Sequence, residues 1–444
     1  MTTDTPTALR TVLAEKLAES LVGVIPASTP RQVHSTVSLP GKATAVIGMR
    51  RAGKTTFLHQ LRRERLERGV ARERLPYLSF EDERLAGLQA DQLHFLLEEY
   101  YRLFPELRGR ERVTWCFDEI QVVPGWERFV RRVLDSETVE VFLSGSSAAL
   151  LSRELATAMR GRAWEVVIHP FSFEEYLHHH GHPVPDPTGP RVARQRSALE
   201  RAFLDYLDSG GFPEVQGLDV ATRHQLLQDY VDVAMLRDVV ERHGVTNVVG
   251  LRWLVRHLLG NPAGLFSVEK FYAALKSQGF SISKDTVHQL LGHLEDCFLV
   301  RTVWMESESE RRRMVNPRKA YPVDPGLIPV FERSGRAHLG HALETVVLVE
   351  LERRRASVSY VRTPQGLEVD FLVRSANGET ELIQVCADAT EAAVAERELR
   401  ALEEAGPLFP QAGQRLLTLT HEGIPREVPS GVVVQPVYEW LLAR

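Results

Sequence analysis

The stretch Ala43 to Leu61, ATAVIGMRRAGKTTFLHQL, decides the fold of the first part of the chain. The run Ala43 to Ile47 predicts a short buried strand, and the residues from Lys54 onward predict a helix. Between the two lies GMRRAGKT, residues 48 to 55, which has the pattern G-x-x-x-x-G-K-[ST]. A strand before this pattern and a helix after it are the context in which such a loop binds phosphate.

Each position of this loop has a chemical reason. Glycines let the backbone N–H groups curl around a phosphate, and the start of the helix adds a favourable dipole. We expect Lys54 to reach the terminal phosphates and the Thr55 hydroxyl to hold Mg²⁺. ATP and Mg²⁺ are therefore the predicted cofactors. The predicted nucleotide-binding residues are Gly48, Arg50, Arg51, Ala52, Gly53, Lys54, Thr55 and Thr56.

Two later strands end in polar residues that suit the same chemistry. The apolar run 113–117 is followed by Asp118 and Glu119. We expect Asp118 to hold Mg²⁺ and Glu119 to act as the general base for an attacking water. The run 139–143 is followed by Ser144-Gly145-Ser146-Ser147, from which Ser146 is the predicted residue that positions the water. A serine of this run can instead be the N-cap of the next helix.

Arg162 is the predicted arginine finger. In oligomeric ATPases an arginine of one subunit completes the neighbouring subunit's site and stabilises charge in the transition state. The alternative is an ordinary surface arginine.

Strands and helices alternate through this region, which predicts an α/β fold with a parallel sheet covered on both faces. The 444 residues predict about three domains at roughly 150 residues each. The net charge of −5 excludes a strongly basic nucleic-acid coat, although a local basic patch is still allowed. Only seven residues are lysines, so each lysine is a candidate for a specific role.

The composition also predicts where the protein acts. Cys116, Cys297 and Cys386 lie in apolar runs without a C-x-x-C pair, which predicts buried free thiols in a reducing compartment. No run approaches about 20 apolar residues, and the start of the chain is polar and acidic. We therefore expect a cytoplasmic protein with no membrane partner and no signal peptide.

The chain resembles the prokaryotic AAA-type ATPases in which a P-loop core precedes a helical lid, a winged-helix unit and a nuclease-like domain. The segments that carry the resemblance are IGMRRAGKTTFLHQL (47–61), CFDEIQ (116–121), FLSGSSAALL (142–151), RGR (160–162), PFSFEEYL (170–177), GGFPE (210–214), YPVDPGL (321–327) and EVDF (368–371). The resemblance implies an AAA+ core (1–170), a lid (171–246), a winged-helix domain (247–330) and an α/β restriction-endonuclease-like domain (331–444). It also implies self-association, with a hexamer as one candidate assembly.

The predicted winged-helix domain contains a candidate DNA surface. Residues 284–295 predict a helix with one apolar face and Ser283 as N-cap. The runs 298–305 and 314–323 predict the two strands of a wing. Such a helix fits the major groove, and a basic wing contacts phosphates. The alternative is a module that binds protein. The predicted DNA contacts are Lys284, Arg311, Arg312, Arg313, Arg318 and Lys319.

The last domain has the predicted order α-β-β-β-α-β, which resembles the restriction-endonuclease-like fold. Hydrolysis there needs an acid on one strand and [DE]-x-K on the next. Asp370 fits the first acid, and Glu344 fits a helical acid. The next strand has Gln384-Val385-Cys386, so the second acid and the lysine are missing. This predicts a degenerate domain without hydrolysis, able to bind DNA or a partner.

Together these features predict an Mg-dependent ATPase that binds and remodels DNA as a homo-oligomer. One alternative is a nucleotide-gated signalling switch that acts on a protein partner, and another is an ATP-driven nuclease. A small-molecule kinase also fits the P-loop, but it leaves about 200 C-terminal residues without a role.

Overall fold

The computed structural model describes residues 5–33, 39–145, 159, 161–185, 193–332 and 339–443. The chain forms two compact units, residues 1–168 and residues 169–444.

The first unit is a five-stranded parallel sheet with helices. Its elements are α1 (Thr5–Val22), β1 (Ala43–Ile47), α2 (Lys54–Glu67), β2 (Tyr77–Ser79), α3 (His94–Leu103), β3 (Val113–Asp118), α4 (Trp126–Ser136), β4 (Val139–Ser144) and β5 (Ala163–Val167). The strand order is β2-β3-β4-β1-β5, and every pairing is parallel. The predicted α/β class is therefore confirmed. β5 was not predicted, because this edge strand is half-exposed and has no continuous apolar run.

The order of the strands positions the site. β1 and β3 are buried at every residue, as apolar strands in the middle of a parallel sheet are. β4 lies between them. Because parallel strands all end at the same edge, the residues at or just after the ends of β1, β3 and β4 meet there. These are the P-loop, the Asp118–Glu119 pair and Ser144.

The second unit has an eight-stranded mixed sheet. Its strands are β6 (Leu265–Phe266), β7 (Val300–Met305), β8 (Arg318–Pro322), β9 (Ser357–Arg362), β10 (Glu368–Arg374), β11 (Thr380–Cys386), β12 (Gly413–Thr418) and β13 (Val432–Pro436), in the order β13-β12-β11-β10-β9-β7-β8-β6. Its helices are α5 (Phe173–His179), α6 (Ala193–Ser209), α7 (Val220–Val233), a π-helix (Ala234–Glu241), α8 (Val248–Leu259), α9 (Val268–Ser277), α10 (Lys284–Asp296), α11 (Glu310–Val315), α12 (Ile328–Phe331), α13 (Leu339–Arg353), α14 (Ala392–Ala405) and α15 (Val437–Leu442).

The predicted wing differs in detail from the structure. Two strands do pair here as an antiparallel hairpin, but β8 begins at Arg318 and the residues before it form α11. Ser309 caps this short helix by accepting a hydrogen bond from the Arg312 N–H. β7 also pairs with β9, where Trp304 is opposite Ser359. One sheet therefore runs through both the predicted winged-helix region and the predicted nuclease-like region.

The helix α10 follows the sequence pattern closely. Ser283 caps it by accepting a hydrogen bond from the Thr286 N–H at 3.0 Å. The four apolar residues of the predicted face are all buried: Val287, Leu290, Leu291 and Leu294. The order of elements from α13 to β12 is also the predicted α-β-β-β-α-β, and β13 and α15 extend it.

Two of the motif segments contact each other. Asp324, which is buried, accepts hydrogen bonds from the N–H groups of Gly211 at 2.7 Å and Gly326 at 2.9 Å. Burial raises the pKa of Asp324 to about 7, although the two amide donors oppose this shift. A Cβ at position 211 would lie 2.3 Å from the Phe171 backbone oxygen, so only glycine fits there. The GGFPE and YPVDPGL segments thus form one structural contact.

We expect Asp324→Ala to lower the free energy of unfolding by about 1–3 kcal/mol, because it leaves two buried amides without an acceptor. The shift in the urea midpoint, followed by tryptophan fluorescence, measures the change. Asp205→Ala removes an exposed carboxylate from α6 and is the control. Equal midpoints for the two variants would contradict this role of Asp324.

The three cysteines are buried and free, as expected. Within the described part of the chain, we find no helix with the length and apolarity needed to cross a membrane.

Candidate nucleotide-binding site

The backbone of the P-loop depends on its glycines. Gly48 has a φ of +145°, and a Cβ there would lie 2.2 Å from the Ile168 backbone oxygen. Gly53 has a φ of +100° and is the N-cap of α2. Side chains other than hydrogen are strained at both positions. The loop therefore turns tightly from β1 into α2, and the first N–H groups of a helix have no partner within the helix itself.

Lys54 is held close to the loop that precedes it. Its side chain is buried, with 6% of the residue exposed. The ammonium donates to the backbone oxygens of Gly48 and Met49, each at 3.1 Å. These contacts place a positive charge beside the loop amides, where the negative charge of a polyphosphate would lie.

Thr55 and Asp118 come together from different elements. The Thr55 hydroxyl donates to Asp118 Oδ2 at 2.8 Å, and the Tyr77 hydroxyl donates to the same oxygen at 2.7 Å. Asp118 is 3% exposed. Hydroxyl and carboxylate oxygens are hard donors of the kind that Mg²⁺ prefers. The residues present therefore fit the implied ion, and Thr55 and Asp118 are the side chains that would hold it.

Glu119 follows directly in a strained conformation. Its φ is +53°, and its N–H donates to the Ser144 hydroxyl at 3.1 Å. Its side chain accepts a hydrogen bond from the Gln121 amide. Burial raises the pKa of the Glu119 carboxyl, and the Lys54 ammonium and the Gln121 amide oppose this shift. A buried carboxyl with a raised pKa suits a general base.

Ser144 is the serine that the structure brings into this site. It ends β4, and its hydroxyl donates to Asp118 Oδ1 while accepting from the Glu119 N–H. The predicted residue, Ser146, lies outside the described residues. Its predicted role therefore stays a prediction, and Ser144 is a further hydroxyl that lies next to the acidic pair. The signal was its place as the last residue of the strand, the same place that Asp118 has in β3.

Two further residues support the site and were missed. The Arg31 guanidinium donates to the Ala52 backbone oxygen at 2.7 Å, and its backbone N–H donates to Gln60 at 2.7 Å. Tyr77 reaches Asp118 from β2. No sequence pattern links either residue to the P-loop, because both contacts depend on how separate segments pack.

The other predicted nucleotide-binding residues lie in or next to the loop. Arg50 is 3.9 Å from Glu81, and Arg51 is exposed with a φ of +66°. Ala52 is buried, and Thr56 is exposed on the first turn of α2.

Arg162 lies at the end of the sheet where β1 begins, opposite the end that carries the P-loop. Its backbone oxygen accepts from the Ala43 N–H at 2.9 Å, at the start of β1, whereas the P-loop follows the end of that strand. The five residues of β1 span roughly 16 Å at about 3.3 Å per residue. The Arg162 side chain is 41% exposed and pairs with Asp135. It does not join the P-loop of its own chain.

Five of the six predicted DNA contacts in the second unit divide into three groups. Arg311 and Arg312 are exposed on α11. Lys284 is exposed but pairs with Glu269. The remaining two arginines contact Trp304, since the guanidinium carbons of Arg313 and Arg318 lie 5.8 Å and 3.4 Å from its ring centre.

The prediction for Lys319 is wrong. Lys319 is 3% exposed, and it makes ion pairs with Glu344 at 3.3 Å, Glu368 at 2.8 Å and Asp370 at 2.8 Å. A surface phosphate cannot reach it. Strand alternation turned its side chain inward, so that only its neighbour Arg318 is near the surface.

These three carboxylates and Lys319 form what we call the carboxylate pocket. It borders a cavity of about 470 Å³ that is lined by Glu344, Glu368, Asp370, Gln384 and further residues of α13, β10, β11 and α14. Glu344, Asp370 and Gln384 are thus brought together as predicted. Among the described residues, no group of three or more His, Cys, Asp and Glu side chains suits a metal ion.

Comparisons with known proteins agree with the P-loop geometry. Residues 40–177 match the family model of an AAA domain, and residues 200–335 match that of a domain of unknown function (DUF8612). The chain is similar to the uncharacterized protein MJ1544 of Methanocaldococcus jannaschii, with 31% identity over 91% of this chain and 89% of that protein. An uncharacterized protein of Haemophilus influenzae is 30% identical over 78% of this chain and 82% of its own length.

Solved structures give weaker similarity. A Walker-type ATPase of Pyrococcus abyssi superposes with a TM-score of 0.40 and 16% identity, covering 72% of this chain and 95% of that chain.

The AAA domain assigned by the family model contains the whole P-loop, Asp118, Glu119 and Ser144.

Proposed function

The chain belongs to the same family as the uncharacterized protein MJ1544 of Methanocaldococcus jannaschii, and its residues 40–177 match the model of an AAA domain. From this premise we propose that it is an Mg-dependent ATPase that binds and remodels DNA as a homo-oligomer. The observation that carries the hydrolytic part is the meeting of Lys54, Thr55, Asp118, Glu119 and Ser144 at one edge of the parallel sheet.

In this proposal each residue has one task. The loop amides and Lys54 bind the β- and γ-phosphates, and Glu119 accepts a proton from the attacking water. The water oxygen bonds to the γ-phosphorus as the bond to the β–γ bridging oxygen breaks, releasing ADP and phosphate. Ser144 holds Asp118 and the Glu119 backbone in place. Mg²⁺, when bound by Thr55 and Asp118, supplies charge neutralisation for the phosphates.

Arg162 supports the oligomeric part of the proposal. Arg162 lies far from the P-loop of its own chain. We therefore propose that it acts at the site of another chain, where an arginine would stabilise transition-state charge. Its partner Asp135 is 60% exposed, so the pair is at the surface and an exposed ion pair of this kind contributes little to stability. Breaking this ion pair so that Arg162 can reach a phosphate bound by a neighbouring chain therefore costs little free energy.

The hairpin β7–β8 supports the nucleic-acid part. Arg311 and Arg312 project from α11 at its tip, and Arg313 lies beside them. The same helix exposes Met314 and Val315, at 69% and 76%. Exposed arginines bind backbone phosphates, and exposed apolar side chains contact bases and sugars where strands are unstacked. We therefore propose this tip as the DNA contact, with α10 as the adjoining helix.

The triple change Arg311→Ser, Arg312→Ser and Arg313→Ser tests the DNA contact. We expect binding to weaken for single-stranded, duplex and branched DNA alike, because phosphate contacts carry no sequence information. The slope of log K against log salt should fall by about 1 for each phosphate contact that is lost. Fluorescence anisotropy over a series of salt concentrations measures both quantities.

A charge-matched control separates local contact from net charge. Arg68, Arg110 and Arg112 are exposed in the first unit, and changing all three to serine removes the same charge elsewhere. If both triple variants lose the same affinity, the hairpin tip is not the contact. ATP turnover measured with and without each DNA tests the remodelling part, and turnover that no DNA changes would contradict it.

A further inference from the structure

The region 331–444, for which we propose a restriction-endonuclease-like domain, raises the question of a metal ion. The resemblance implies a divalent ion held by carboxylates of a helix and a strand. In the carboxylate pocket, Asp370 Oδ1 accepts from the Lys319 ammonium at 2.8 Å and Oδ2 accepts from the Val385 N–H at 2.9 Å. Both oxygens of the central carboxylate are therefore bound by donors of the protein itself.

Lys319 lies where the carboxylates converge. Its ammonium is 3.3 Å from Glu344 Oε2 and 2.8 Å from Glu368 Oε1, in addition to its contact with Asp370. An ammonium group has three N–H donors, and three carboxylates surround this one. The Tyr321 hydroxyl also donates to Glu344 Oε2, at 3.1 Å. The atoms that would bind a metal are the atoms that bind the lysine.

Gln384 does not restore a metal ligand set. Its Oε1 accepts from the Asp370 N–H at 3.2 Å, and its Nε2 donates to Glu398 at 2.6 Å. Both ends of the amide therefore join neighbouring elements, and the amide brings no negative charge. Arg397, which also lines the cavity, pairs with Glu398. Lys319 is thus the cation of the Glu344–Glu368–Asp370 cluster.

We infer that Lys319 is a built-in cation that takes the place of the metal ion, so that the carboxylate pocket binds no divalent metal and hydrolyses no phosphodiester. The residues present do not fit the implied ion. The lysine comes from β8, outside residues 331–444, so the same contacts fasten the β7–β8 hairpin to α13 and β10. This inference is independent of the proposed ATPase activity, which depends on the other unit.

Binding of Mn²⁺ to the full chain without nucleotide tests the inference, with the free ion measured by electron paramagnetic resonance. We expect the wild-type protein and Asp370→Asn to bind the same number of ions. Lys319→Met should gain one ion per chain, and adding Asp370→Asn to it should remove that ion again. Lys319→Arg keeps the charge and should gain none.

Two results of the Mn²⁺ titration would overturn the inference. One is a Mn²⁺ site in the wild-type protein that Asp370→Asn removes. The other is a folded Lys319→Met protein that gains no ion. If Lys319→Met does not fold, the wild-type protein and Asp370→Asn decide the question without it, since equal Mn²⁺ binding supports the inference. Mn²⁺-dependent cleavage of DNA that Asp370→Asn abolishes would overturn it as well.

Discussion

Glu119→Gln is expected to lower the turnover of ATP roughly 10²–10⁴-fold, the range over which a positioned general base contributes to a rate. The glutamine has the same shape but cannot accept the proton of the attacking water. ATP binding should change little, because the phosphates are bound by the loop amides and Lys54. Steady-state phosphate release gives the rate, and titration with a fluorescent ATP analogue gives the affinity.

The matched control is Glu83→Gln, which removes an exposed carboxylate from the same unit. It should leave both turnover and affinity unchanged. The pKa of Glu119, raised by burial, adds a second readout, since turnover of the parent protein should decline on acidification at a higher pH than for an ordinary glutamate. If Glu119→Gln hydrolyses ATP within threefold of the parent, another group is the base.

Much of the first unit could be predicted because its signals are local. The P-loop pattern, the strand before it and the helix after it lie within 19 residues, from Ala43 to Leu61. Asp118 and Glu119 follow an apolar run, and the rule that parallel strands end at one edge brings them to the loop. What sequence could not decide was which hydroxyl of residues 144–147 faces Asp118, because that depends on where β4 ends.

In the second unit, by contrast, the decisive contact joins residues that are far apart in the sequence. Lys319 and Asp370 are 51 residues apart, and their contact depends on β8, β7, β9 and β10 being neighbours in one sheet. From sequence, Lys319 stands beside Arg318 after a run of arginines, which favours a surface role. The sequence of β11 lacks the lysine that hydrolysis needs, but no local pattern indicates that another strand supplies an ammonium to the same carboxylates.

Lys54→Ala is expected to lower both the turnover of ATP and the affinity for ATP. Removing a preorganised charged donor from a transition state lowers kcat by roughly 10²–10³. The lost charge-assisted contacts should weaken ATP binding as well, by about 1.5–3 kcal/mol. Turnover and affinity therefore fall together, unlike in Glu119→Gln, where turnover falls alone. The same phosphate-release and titration assays measure both.

Lys42→Ala is the control, because Lys42 is exposed at the start of β1 and carries the same charge at the other edge of the sheet. The buried Lys54 ammonium also binds the loop carbonyls of Gly48 and Met49, so the variant needs a check of its fold. An unchanged melting temperature without nucleotide, together with lost stabilisation by ATP, places the defect in binding. Turnover that survives Lys54→Ala in a folded protein would mean that this loop is not the site of hydrolysis.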